Sequence, residues 1–101
     1  MLTAFRDILQ KTARSLGIEP AMHLVQAREA WPEILGPVLA GVSEPRALRG
    51  GVLMVTATHA LAAQEVNFRK EEILRELRRR IPQADLRQVR VVIRTPGGGG
   101  E

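Results

Sequence analysis

The chain has no cysteine and no tyrosine, and its 101 residues include one tryptophan and two phenylalanines. Without thiols it can form neither a disulfide nor a thiolate metal centre. Phe5, Trp31 and Phe68 are its whole aromatic complement. Stacking on nucleobases is therefore weakly supported, and any contact with nucleic acid is expected to run to the phosphate backbone. No run is apolar enough to span a bilayer and no signal peptide is recognisable, so the expected location is cytoplasmic. The HExxH, Walker A and GxSxG patterns are absent. His23 and His59 lie far apart with no carboxylate at metal-ligand spacing. His23 reads as a helix-surface residue and His59 as a first-turn residue. Glu71 and Glu72 are adjacent and point apart, and Ser15 and Ser43 have no base at a readable spacing. These absences weigh against catalysis, and no cofactor, metal or small-molecule substrate is expected.

What is present is a modest core and an uneven charge. Apolar residues make up 45% of the chain, enough for one folded domain. The net charge is +4, and the excess is concentrated towards the C-terminus. Between residues 69 and 94 stand nine cations: Arg69, Lys70, Arg75, Arg78, Arg79, Arg80, Arg87, Arg90 and Arg94. Four acids oppose them: Glu71, Glu72, Glu76 and Asp85. Arginine outnumbers lysine strongly, and its planar fork suits phosphate and carboxylate. The basic half supports a polyanion partner without proving one. Arg78, Arg79 and Arg80 fan around a helix end, where a solvated cap is the plainer reading.

The longest pattern runs over residues 59–81, free of proline and glycine. Ala63, Val66, Ile73, Leu77 and Ile81 recur on one helical face, with the stem of Lys70 crossing the stripe. The spacing predicts one helix about 33 Å long, capped by Thr58 and ended by Pro82. Leu61 and Phe68, seven residues apart, lie nearly opposite that stripe among Glu65, Glu72, Arg75 and Arg79. Either a second element of the chain covers them, as large apolar groups usually require, or they form a partner surface ringed by charge.

The remaining elements follow in order. Residues 2–16 read as an amphipathic helix with a stripe of Phe5, Ile8, Leu9, Thr12 and Leu16, ended by Gly17. Pro20 starts a second helix whose inner face is Leu24, Ala27, Trp31, Ile34 and Val38. Pro32 is expected to kink it or split it after Trp31, and Gly41 closes the segment. Trp31 reads as a core anchor. Residues 42–49 form a first strand, bent or at an edge by Pro45. Gly50-Gly51 is a hairpin signal, and residues 52–58 are the clearest strand. Residues 88–94 form a third strand, parallel to the second because the long helix carries the chain back. The order α-α-β-β-α-β gives an α+β domain: a three-stranded mixed sheet with helices on one face. The other face can stay partly wet, leaving Arg90 and Arg94 accessible. The expected division is an N-terminal helix with freedom to move (1–17), a folded domain (18–95) and a flexible glycine-rich tail (96–101).

One constellation resembles a known family. Trp31-x-x-Ile34-x-Gly36-x-x-Leu39-Ala40, then Pro45, then Leu48-x-Gly50-Gly51-x-Leu53-x-Val55, then Ala62-x-Gln64-Glu65 resembles the DciA family over about residues 5–94. The resemblance implies a bacterial replication factor that binds the DnaB-type replicative helicase and promotes its loading on single-stranded DNA. It also implies a KH-like domain, of the type II-like order with extra elements at the N-terminal side. Two departures stand out. Leu61 occupies a position where the family commonly has an aromatic residue, and residues 67–72, where a KH domain carries its GxxG clamp, hold no glycine. Under this reading the nine cations would meet single-stranded DNA, and Leu61, Phe68, Glu65 and Glu72 would meet a protein partner. Duplex DNA and RNA remain open as ligands. The alternatives are an RNA-binding KH-like protein of ribosome or RNA metabolism, and a protein-interaction module whose charge is incidental.

Overall fold

The computed structural model describes residues 4–9, 11 and 17–94. Residues 4–9 are helical, as the periodicity predicts. Their apolar members Phe5, Ile8 and Leu9 are nevertheless exposed, and Thr12 and Leu16 lie outside the described residues. The glycine-rich tail lies outside them too.

Helix α1 spans Glu19–Leu35, α2 Pro37–Ala40, α3 Ala60–Phe68 and α4 Lys70–Arg80. The strands are β1 Ser43–Arg49, β2 Val52–Ala57 and β3 Gln88–Ile93, with a 3-10 turn at Pro82–Ala84. The sheet order is β1-β2-β3; β1 and β2 are antiparallel, and β2 and β3 parallel, as expected. Gly50 and Gly51 have φ of 54° and 81°, the left-handed conformation that a two-residue hairpin turn requires. A register shift between Pro45 and Ala47 leaves Arg46 as a bulge.

One sheet face is covered. Leu53, Val55 and Val89 join Ala27, Trp31, Ile34, Leu35, Val66, Ile73, Leu77, Ile81 and Leu86 in the main core. Trp31 is the anchor expected of it, and its indole Nε1 donates to Ser43 Oγ at 3.0 Å. Ser43 Oγ in turn donates to the Leu39 carbonyl at 2.7 Å, so this buried hydroxyl ties α1 to β1 and α2.

The structure corrects the expectations in three places. First, of the two effects expected of Pro32, the split does not occur: the helix continues to Leu35. Proline costs a helix about 3 kcal/mol. Here Arg28 and Pro32 are on the exposed side, so the forfeited carbonyl faces water, while Trp31, Ile34 and Leu35 are buried around them. Val38, expected on the inner face, is 85% exposed, because Gly36 (φ 85°) ends α1 and re-aims the next turn.

Second, the long helix breaks at Arg69. Its backbone N–H bonds the Val66 carbonyl three residues back at 3.0 Å, and Ile73 restarts the ladder on the Arg69 carbonyl at 2.8 Å. No proline or glycine marks the place. The halves pack on different neighbours: α3 on β2 and β3, α4 on α1 and β3. The result is a KH-like α+β domain with two helices between β2 and β3. His59, not Thr58, caps α3, its Nδ1 accepting from the Ala62 N–H at 3.1 Å.

Third, His23 is buried, not a surface residue. It lines an open cleft between residues 4–9 and α1, with Arg6, Glu19 and Arg80 among its neighbours.

Candidate functional site

Two surfaces on opposite sides of the sheet layer carry unusual side chains. The first is the outer stripe of α3. Ala62, Ala63 and Val66 turn inward and are buried. Helical geometry then turns Leu61 and Phe68 outward, two turns and about 10 Å apart. They are 73% and 75% exposed, so no described residue covers them. Burying a side chain of this size is worth about 1.5–3 kcal/mol, which a partner could recover. The stripe is flanked by acids: Glu65 lies between the two, and Glu71 and Glu72 are exposed in the first turn of α4. Glu65 is held by the Arg69 Nε at 3.1 Å.

The second surface is the uncovered sheet face. Register places Arg49, Val52 and Gln88 in one row, Ala47, Met54 and Arg90 in the next, and Glu44, Thr56 and Val92 in the third. None of these side chains belongs to either buried cluster. Arg94 continues the ladder, its N–H on the Ala57 carbonyl at 2.7 Å, and alternation puts its side chain on this same face. Arg49, Arg90 and Arg94 are all exposed. Glu44, the one acid in these rows, is engaged by Arg46 at 3.1 Å.

The nine cations singled out by sequence do not form one surface. Five are engaged within the protein. Arg69 pairs with Glu65 and reaches the Leu35 carbonyl at 3.5 Å. Arg78 donates to the Leu86 carbonyl at 2.7 Å. Arg79 grips Glu76 at 2.8 Å, Arg80 binds both Glu33 and Glu76, and Arg87 pairs with Asp85 at 3.1 Å. The hydrogen bond from Arg79, joined by the charges of Arg79 and Arg80, holds the Glu76 carboxyl below the ordinary glutamate range. Its bond to Glu33 pushes the Arg80 guanidinium up. Arg80 thus acts as a strut between α1 and α4. Lys70, Arg75, Arg90 and Arg94 make no hydrogen bond or ion pair with any described residue. Lys70 and Arg75 sit on α4, and Arg90 and Arg94 on the sheet.

Arg49 escaped the sequence reading. A signal was available: it directly precedes Gly50-Gly51 and faces Val52 across the turn, so register alone puts it beside the row of Arg90. Among the described residues, no group of three or more His, Asp or Glu side chains is placed to hold a metal ion, and no helix is long and apolar enough to cross a membrane.

The sequence profile of the family described as "Dna[CI] antecedent, DciA" matches residues 4–91. No curated protein matches the chain. The matched region takes in the α3 stripe, β1, β2, the first part of β3 and every cation above except Arg94. The chain belongs to the DciA family, and with it to the helicase-loading side of DNA replication.

Proposed function

We propose that this protein is a cytoplasmic factor that docks on a DnaB-type replicative helicase and holds single-stranded DNA beside it, promoting loading without catalysing a reaction itself. The helicase contact is the α3 stripe, Leu61 and Phe68, with Glu65 and Glu72 at its rim. The cations between residues 69 and 94 supply the attraction for DNA. Residues 18–95 act as the folded unit.

The observation that carries this reading is the exposure of two large apolar side chains on one helical stripe in a chain of this family. Anchors of this kind, surrounded by polar groups, dominate interface energetics. The test is co-elution with the replicative hexamer of the same cell at low salt. Wild-type protein is expected to co-elute, and L61S/F68S to lose about thirtyfold or more in affinity, the scale of a hot spot. Failure of the wild-type protein to associate at low salt overturns the reading. A marked preference for RNA over DNA of equal length favours an RNA-binding role instead.

A further inference from the structure

We infer that the single strand lies on the uncovered sheet face, gripped by Arg49, Arg90 and Arg94, and not along the arginine-rich end of α4. This rests on the nucleic-acid half of the proposed function and adds the seat and a residue to it. Three facts converge. Arg49, Arg90 and Arg94 are exposed and pair with no described residue, whereas Arg78, Arg79 and Arg80 each already hold an internal acceptor. A guanidinium bound to a carboxylate must give up that bond before it meets a phosphate, so the paired set starts at a disadvantage. Among the described residues neither core cluster reaches this sheet face, where half-buried Ala47, Val52 and Met54 and exposed Val92 make a low floor between the arginines and Thr56 is buried among them.

The spacing suits a chain of phosphates. Arg90 and Arg94 are four residues apart on one line, so their Cα atoms are about 13 Å apart. Arg49 lies two strands and two residues from Arg90, about 12 Å away by strand spacing and rise. Three forks at this interval can hold separate phosphates of one strand while the sugars and bases pass over the apolar floor. The face carries no aromatic side chain, so the grip is on the backbone and indifferent to base. The acid-flanked α3 stripe faces the other way and would repel the same ligand.

The test is fluorescence anisotropy with a labelled oligothymidylate of about 20 nucleotides across a salt series. R49A/R90A/R94A is expected to weaken binding at least tenfold at low salt and to reduce the slope of log affinity against log salt by about 2, since each single-strand phosphate contact contributes about 0.7. K70A/R75A, on α4, removes long-range attraction and no seat on the sheet, and is expected to weaken binding less than the sheet triple does and to keep more of the salt slope. R49K/R90K/R94K keeps the charge and should keep the slope, which separates a grip from a folding defect. Wild-type binding that is insensitive to the sheet triple, or lost in K70A/R75A instead, overturns this inference and leaves the proposed function standing. No binding by the wild-type chain at low salt overturns both. Tighter binding of polyglutamate than of the oligonucleotide assigns the face to an acidic peptide and overturns it as well.

Discussion

The outer stripe of α3 and the bare face of the sheet differ in how they are built. The stripe owes its character to two apolar side chains, Leu61 and Phe68, on a helix whose other side is locked into the core by Val66. The sheet face owes its character to strand register, which gathers Arg49, Arg90 and Arg94 from two strands that are not neighbours. One surface gains from the removal of water and is nearly blind to salt. The other works through charge and weakens as salt rises. Under the proposed function one surface holds a polypeptide and the other a polyanion, and the sheet layer keeps the two apart.

The largest effect that can break this comparison is on stability. Leu77 is fully buried in α4, and Leu77→Ala should cost about 2–5 kcal/mol in urea unfolding. Phe68→Ser should stay within about 0.5 kcal/mol, as surface changes do. If the two cost the same, Phe68 is a core residue and the stripe is not a partner surface. Next comes partner binding. L61S/F68S should lower helicase affinity by about 2 kcal/mol or more while leaving oligonucleotide binding within twofold. Equal loss on both ligands would merge the two surfaces into one.

A smaller effect concerns how the stripe is held. His59→Ala removes the acceptor for the Ala62 N–H and should destabilise the protein by about 1 kcal/mol, with His59→Asn retaining most of it. An unchanged melting temperature in the alanine variant would show that α3 does not depend on this cap. The smallest effect separates the paired cations from the free ones. The Glu76 pKa is held low by Arg79 and Arg80, so its contribution to stability is present above the ordinary glutamate pKa and is lost as pH falls through the lowered value. Glu76→Gln should therefore flatten the acid limb of the melting curve between neutral and acid pH. The contribution of Arg80, whose pKa is raised, is present throughout this range. An acid limb unchanged in the variant would argue that the α4 arginines are as free as those on the sheet.

Much of the fold was legible because short-range rules governed it. Alternation in residues 52–58 and 88–94, the Gly50-Gly51 turn and the stripe through Val66, Ile73 and Leu77 all report local geometry that tertiary packing then kept. The break at Arg69 was hard to read because the stripe, interrupted only by Lys70, resumes in phase at Ile73 and no proline or glycine marks the place. What divides the rod is the separate packing of α3 and α4. The split allowed for at Pro32 does not occur, since burial of Trp31, Ile34 and Leu35 outweighs a local penalty. The candidate site was harder still. Exposure of Leu61 and Phe68 was one of two readings the sequence left open. Which arginines are occupied depends on acceptors such as Glu33, 47 residues from Arg80, and the Leu86 carbonyl, which carries no sequence signature at all.

The account turns on the two surfaces being independent, and one titration tests that directly. Labelled oligothymidylate is added to the preformed complex of this protein with the helicase, under conditions where the helicase alone does not retain it, while helicase retention is followed in parallel. The account predicts that the strand binds the complex at least as tightly as it binds the free protein, and that the helicase stays bound throughout. Displacement of the helicase by the strand, or of the strand by the helicase, would mean that both partners compete for one surface and would contradict it.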